Sequence, residues 1–170
     1  MGDTTQLTIG ACSVSLGGID LGHTKGGVKV KYTPEYADIQ ADLYGNTPVD
    51  KRLVGEMIEV TLALAEWDLE ATLNAAMPVA GTESATKRQY GSHASESLLD
   101  RAAELVLHPL RLDASDRSED IVVYKAVVAS AVELNYENQN QKVMEVTFIG
   151  LVDTDKSEGN LLFMIGDSTT

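Results

Sequence analysis

Ile58-Glu59-Val60-Thr61-Leu62-Ala63-Leu64 decides the fold class of this 170-residue chain. Ile58, Val60, Leu62 and Leu64 fall on one side of an extended backbone, and Glu59, Thr61 and Ala63 on the other. Period-two alternation of this kind belongs to a strand with one buried face. The pattern predicts strand from Arg52 to Ala65. Before it, Tyr36 to Asp42 also alternates, with Asp38, Gln40 and Asp42 opposite Ala37, Ile39 and Ala41. The connection, Leu43 to Lys51, carries the turn residues Gly45, Asn46 and Pro48. The two segments read as a long hairpin whose 43–51 loop projects from the body.

The pattern continues in both directions. Thr8 to Leu16 and Ile19 to Leu21 read as short strands separated by Gly17-Gly18. Val28, Val30 and Tyr32 alternate with Lys29 and Lys31, and Pro34 is expected to end that strand or break its ladder. Downstream, Ala103 to His108, Lys142 to Val152 and Leu161 to Ile165 read as strands, and Ile121 to Tyr136 as one long strand or two joined by a bend near Lys125. Val79 to Glu96 is rich in small and polar residues and reads as a surface connector. Only 67–77 changes period. Leu69, Leu73, Ala76 and Met77 recur as one face of a helix, which Pro78 stops. One domain spanning 1–170 is expected, mainly β, a sandwich or rolled barrel with one short flanking helix. Residues 1–8 form an arm and 166–170 a tail.

Net charge is −13, from 26 acidic and 13 basic residues. Binding to duplex phosphates requires the opposite balance, so specific nucleic-acid binding and anionic membranes are disfavoured. Cys12 is the single cysteine, so no intramolecular disulfide or cysteine-zinc cluster can form. The N-terminus lacks the basic and apolar blocks of a signal peptide, and no apolar run reaches membrane-span length. The chain reads as soluble and made in the cytoplasm.

Catalytic signals are missing. His23, His93 and His108 have no metal-ligand spacing, and there is no nucleophile elbow, P-loop or dinucleotide fingerprint. Asp153 to Gly159 resembles a calcium loop only loosely: its glycine falls one place late, and Met164 stands where the bidentate Glu belongs. It reads as an acidic turn, as does Asp113 to Asp120. Neither a catalyst nor a cofactor is expected.

A resemblance gives these pieces a context. Gly22-His23-Thr24-Lys25-Gly26-Gly27-Val28 is followed by Asp38-Ile39-Gln40-Ala41-Asp42, then by Gly45-Asn46-Thr47-Pro48-Val49-Asp50, then by the strand Glu56 to Leu64 and the 69–77 segment. With Leu105-Val106-Leu107-His108-Pro109, Tyr124-Lys125-Ala126 and Phe163 to Asp167, this order resembles the tail tube proteins of long-tailed bacteriophages over about residues 10–167. No single motif carries the likeness; order and spacing do. It implies a virion protein whose copies form rings, six to a ring, stacked into a hollow tube through which DNA leaves the particle. Partners would be further copies of itself and the tape measure, terminator and distal tail proteins. DNA would pass without specific binding. A tail terminator and a type VI secretion-like tube share the architecture, and a small-ligand-binding β-barrel is the rival of a different class.

Two sets of residues follow as candidates. Acid-bearing polar faces occur at Asp38/Gln40/Asp42, Glu59/Thr61, Glu133/Asn135 and Glu145/Thr147. Each alone is an ordinary solvated face; together they are candidates for the lining of a channel. Tyr44, Asn46, Pro48, Val49 and Asp50 in the hairpin loop are candidates for contact with the next ring, because apolar groups in a turn suit an interface.

Overall fold

The computed structural model describes residues 10–66, 68, 73, 76–78, 82–84, 86–91, 94–129, 131–134 and 141–167. The protein is mainly β. Eleven strands are present among these residues: β1 (Cys12–Leu16), β2 (Ile19–Asp20), β3 (Thr24–Gln40), β4 (Pro48–Leu64), β5 (Thr82–Ser84), β6 (Lys87–Gln89), β7 (Ala103–Pro109), β8 (Ile121–Val128), β9 (Glu133–Leu134), β10 (Met144–Leu151) and β11 (Phe163–Ile165). One antiparallel sheet runs β2-β1-β7-β8-β10-β4-β3, with β11 added beside β8 and β9 beside β10. It is not closed into a barrel: β2 and β3 remain its edges.

The alternation read from the sequence builds the core. Ile58, Val60, Leu62 and Leu64 of β4 are each at most 1% exposed, and Met144, Val146 and Phe148 of β10 match them. Val14 of β1, Leu105 and Leu107 of β7, and Val123, Ala126 and Val128 of β8 join the same cluster. Strands from both halves of the sheet therefore curl around one core. Close packing at its centre requires Gly150. A Cβ there would stand 2.4 Å from Ile58 Cγ2 and 3.1 Å from Val123 Cγ1. Cys12 packs against this cluster, and burial pushes its thiol pKa up.

Several boundaries differ from the sequence reading. Pro34 does not end a strand. β3 runs unbroken through it, because β3 is an edge strand and an edge tolerates a residue without an N–H. The hairpin connection is shorter than 43–51. A 3-10 turn, Asp42–Tyr44, and the turn behind it complete the reversal, and β4 resumes at Pro48. Within 121–134 there are two strands, β8 and β9, but the break falls at residues 129 and 131–132 and not near Lys125, which lies inside β8. The connector 79–96 contains a hairpin of its own, β5–β6. Of the expected helix 67–77, the described residues are Asp68, Leu73, Ala76 and Met77. Leu73 and Ala76 are helical and buried against the core, and the remainder lies outside the described residues. The 1–8 arm lies outside them too.

Candidate functional site

The strongest departure from a self-contained domain is the β3–β4 hairpin. Both strands are 17 residues long, and they pair from Thr24↔Leu64 to Gln40↔Pro48. β10 pairs with β4 only between Glu59 and Leu64. Beyond Ile58 the two strands continue as a two-stranded arm. An isolated ribbon of this kind has no core of its own. It nevertheless carries large apolar side chains. Tyr36, Leu53, Val54 and Met57 are 58%, 50%, 64% and 40% exposed. The register shift between Glu35 and Tyr36 marks a bulge opposite them.

The tip is tied together by its own backbone. Tyr44 N–H donates to the Ala41 carbonyl at 2.9 Å and Thr47 N–H to the Tyr44 carbonyl at 3.3 Å. The Gln40 side-chain amide donates to the Asn46 carbonyl at 3.2 Å. Gly45, at φ 60°, supplies the left-handed residue that the turn needs. This turn presents Leu43, 84% exposed, and Tyr44, 60% exposed. Of the expected contact residues, Tyr44 and Asn46 sit in the tip. Pro48, Val49 and Asp50 sit on the first residues of β4, all exposed. Leu43, Leu53, Val54 and Met57 were not singled out from the sequence. Their signal is the adjacent Leu53-Val54 pair before Gly55, which breaks the alternation where the bulge falls.

The channel candidates divide between two places. Register places Glu59, Thr61, Glu145, Thr147 and Glu133 on one face of the sheet, opposite the core: Thr61 pairs with Thr147, and Glu133 with Glu145. The Thr61 and Thr147 hydroxyls are 3.1 Å apart. Asp38 and Gln40 lie apart from this group, out in the arm beyond the register shift at Glu35/Tyr36, where Asp38 pairs with Lys51 and Gln40 with Pro48 and β10 no longer covers β4. Asp42 lies in the 3-10 turn. Asn135 lies outside the described residues.

The face that is assembled is also less acidic than expected. Register puts Lys29 opposite Thr61 and Lys31 opposite Glu59, and Lys31 Nζ is 3.0 Å from the Glu59 carboxylate. Three glutamates thus share the face with Lys29, Lys31 and, through its pairing with Leu151, Lys125. Alternation within one strand shows which of its residues share a face. It does not show what the neighbouring strand places beside them. Much of the acidic charge lies elsewhere, in the arm and in the turns 113–120 and 153–158.

Comparison of the chain with protein-family models and with curated proteins returns no match.

Two further clusters are structural in character. His108 Nδ1–H donates to Asp120 at 2.6 Å, and Asp120 is 3% exposed. Its backbone carbonyl also accepts from Gly166 N–H at 2.8 Å, so this pair fastens the 110–120 turn to the end of β11. Asp120 therefore departs from the solvated turn expected around it. In the calcium-like segment, Lys125 Nζ lies 2.7 Å from the Asp153 carboxylate and holds its pKa below the usual range. No group of three His, Cys, Asp or Glu side chains that could hold a metal occurs among the described residues. Nor is any helix there long and apolar enough to cross a membrane. A cleft of about 410 Å³ opens at the root of the arm, lined by Tyr32, Glu56, Val152, Leu161, Leu162 and Phe163. The Tyr32 and Phe163 rings meet there with centroids 5.7 Å apart.

Proposed function

We propose that this chain is a structural subunit that assembles with copies of itself into stacked rings forming a hollow tube, as in phage tail tubes. The observation that carries the reading is the β3–β4 arm. A two-stranded ribbon bearing Tyr36, Leu43, Tyr44, Leu53 and Val54 in solvent is poorly suited to a monomer and well suited to an interface. The sheet edges support it. Among the described residues β3 is a long open edge, and at the other end two residues of β2 cover β1. Two different open edges on one subunit favour head-to-tail pairing between copies, which closes into a ring when the rotation allows. The resemblance in residue order supplies the tail-tube reading in particular, with six copies to a ring and the tape measure, terminator and distal tail proteins as partners.

In such a ring the channel lining would be the face bearing Glu59, Thr61, Glu133, Glu145 and Thr147, together with Lys29 and Lys31. A polar wall of nearly balanced charge offers passing DNA little to bind. The test is mass and shape. Light scattering on the purified protein should give a mass several times 18.3 kDa, and negative-stain electron microscopy should show rings or hollow filaments. A small-ligand role draws on one observation, the 410 Å³ cleft, whose size falls within the range of ligand pockets. A stable monomer that retains a small molecule through purification would favour that role instead.

A further inference from the structure

The edge strand β3 carries a division of charge. Its first part holds Lys25, Lys29 and Lys31 and no acid from residue 22 to residue 31. From residue 32 to residue 57 the arm holds Glu35, Asp38, Asp42, Asp50 and Glu56 against Lys51 and Arg52. Within the subunit only part of this charge is matched. Lys31 pairs with Glu59, Lys51 with Asp38 at 3.0 Å, and Arg52 approaches Asp50 at 4.0 Å. Lys25, Lys29 and Glu35 make no ion pair among the described residues, and all three are exposed. In a protein of net charge −13, Lys25 and Lys29 leave the exposed start of β3 locally basic, against the acidic arm that follows.

The lengths fit a second copy. β10, eight residues long, sets the height of the sheet body at roughly 25 Å. A copy displaced along the strands by that height is shifted by seven or eight residues. The shift brings Glu35 of one subunit level with Gly27 and Val28 of the next. A lysine side chain easily spans the remaining step to Lys29. Glu35 and Lys29 also lie on the same face of β3, since the register runs unbroken from Lys29↔Thr61 to Glu35↔Gly55 and both have odd parity. Reversing one copy would set acidic arm against acidic arm.

We infer that Lys29, with Lys25 beside it, receives the Glu35 carboxylate of a second copy's arm, and that this charge division along β3 fixes the head-to-tail direction of stacking. The inference rests on the self-assembly reading above and adds its polarity and its contact pair. Three variants test it: Lys29→Glu, Glu35→Lys, and the double exchange K29E/E35K. Each is compared with the unaltered protein for thermal melting and for critical concentration of assembly, at about 0.05 M and about 1 M salt. Each single reversal should raise the low-salt critical concentration at least tenfold with an unchanged melt. The double exchange should return it to within threefold of the unaltered protein. At 1 M salt, where screening acts over about 3 Å, the difference between single and double variants should shrink. Assembly of the unaltered protein that neither reversal disturbs, or that the exchange fails to restore in a normally melting variant, overturns the pairing but leaves self-assembly standing. An unaltered protein that stays monomeric overturns both.

Discussion

Removing the apolar tip of the arm separates folding from assembly more cleanly than any other change. The variant is Leu43→Ser with Tyr44→Ala. Leu43 is 84% exposed, so its full burial in an interface would contribute about 2 kcal/mol. Tyr44 is 60% exposed; burying that share of a large aromatic side chain removes on the order of 120 Å² from water, worth about 3 kcal/mol. Ordering and imperfect packing reduce such sums, so a loss of about 3 kcal/mol per contact is the working figure. At 1.4 kcal/mol per tenfold, the critical concentration should rise at least a hundredfold. The same residues contribute little to the subunit itself, because both already stand in solvent. Its unfolding free energy should change by no more than about 0.5 kcal/mol. Sedimentation velocity across a dilution series reads the first quantity and a thermal melt the second. A critical concentration within threefold of the unaltered protein would refute the assignment of the tip to an interface. A large drop in melting temperature would show instead that the tip supports the fold.

Three further outcomes follow from the body of the domain. Gly150→Ala should destabilise by about 1–3 kcal/mol in chemical denaturation, because the new methyl group meets Ile58 and Val123 side chains in a filled core. Asp120→Ala should cost about 3 kcal/mol, and combining it with His108→Ala should cost clearly less than the sum of the two, since each single change strands the other partner; additive losses would mean that the pair is not coupled. Asp153 has a depressed folded-state pKa, chiefly through the hydrogen bond from Lys125, so its contribution is present above the ordinary carboxylate range and lost as pH falls through the lower folded value. Asp153→Asn should therefore be less stable than the unaltered protein at pH 7, and the difference should narrow below about pH 4 in acid titrations followed by circular dichroism.

The strands with one buried face were legible in the sequence, because burial imposes a strict period of two. Ile58 to Leu64 and Met144 to Phe148 face the core as their alternation requires. Along an edge strand that leaves the body of the sheet, the constraint weakens. Val28 to Tyr32 and Tyr36 to Asp42 looked like separate strands, because Pro34 and a change of pattern interrupt them, yet the edge position of β3 lets one strand contain both. The sharing of faces between strands was not legible at all. It depends on register, and the shifts at Glu35/Tyr36 and Ile39/Gln40 set how the arm's residues oppose each other. Pairing along the hairpin also leaves Asp38 and Gln40 in the arm, away from Glu59 and Thr61, and stands Lys29 and Lys31 beside the glutamates. Asp120 illustrates the same limit for charge. In sequence it closes an acidic turn, and only the fold brings His108 to it.

Electron microscopy of the purified, unaltered protein at high concentration tests the central claim most directly. The account predicts rings, or hollow filaments with an axial repeat and a continuous lumen. A uniform population of 18.3 kDa monomers at every concentration would contradict it.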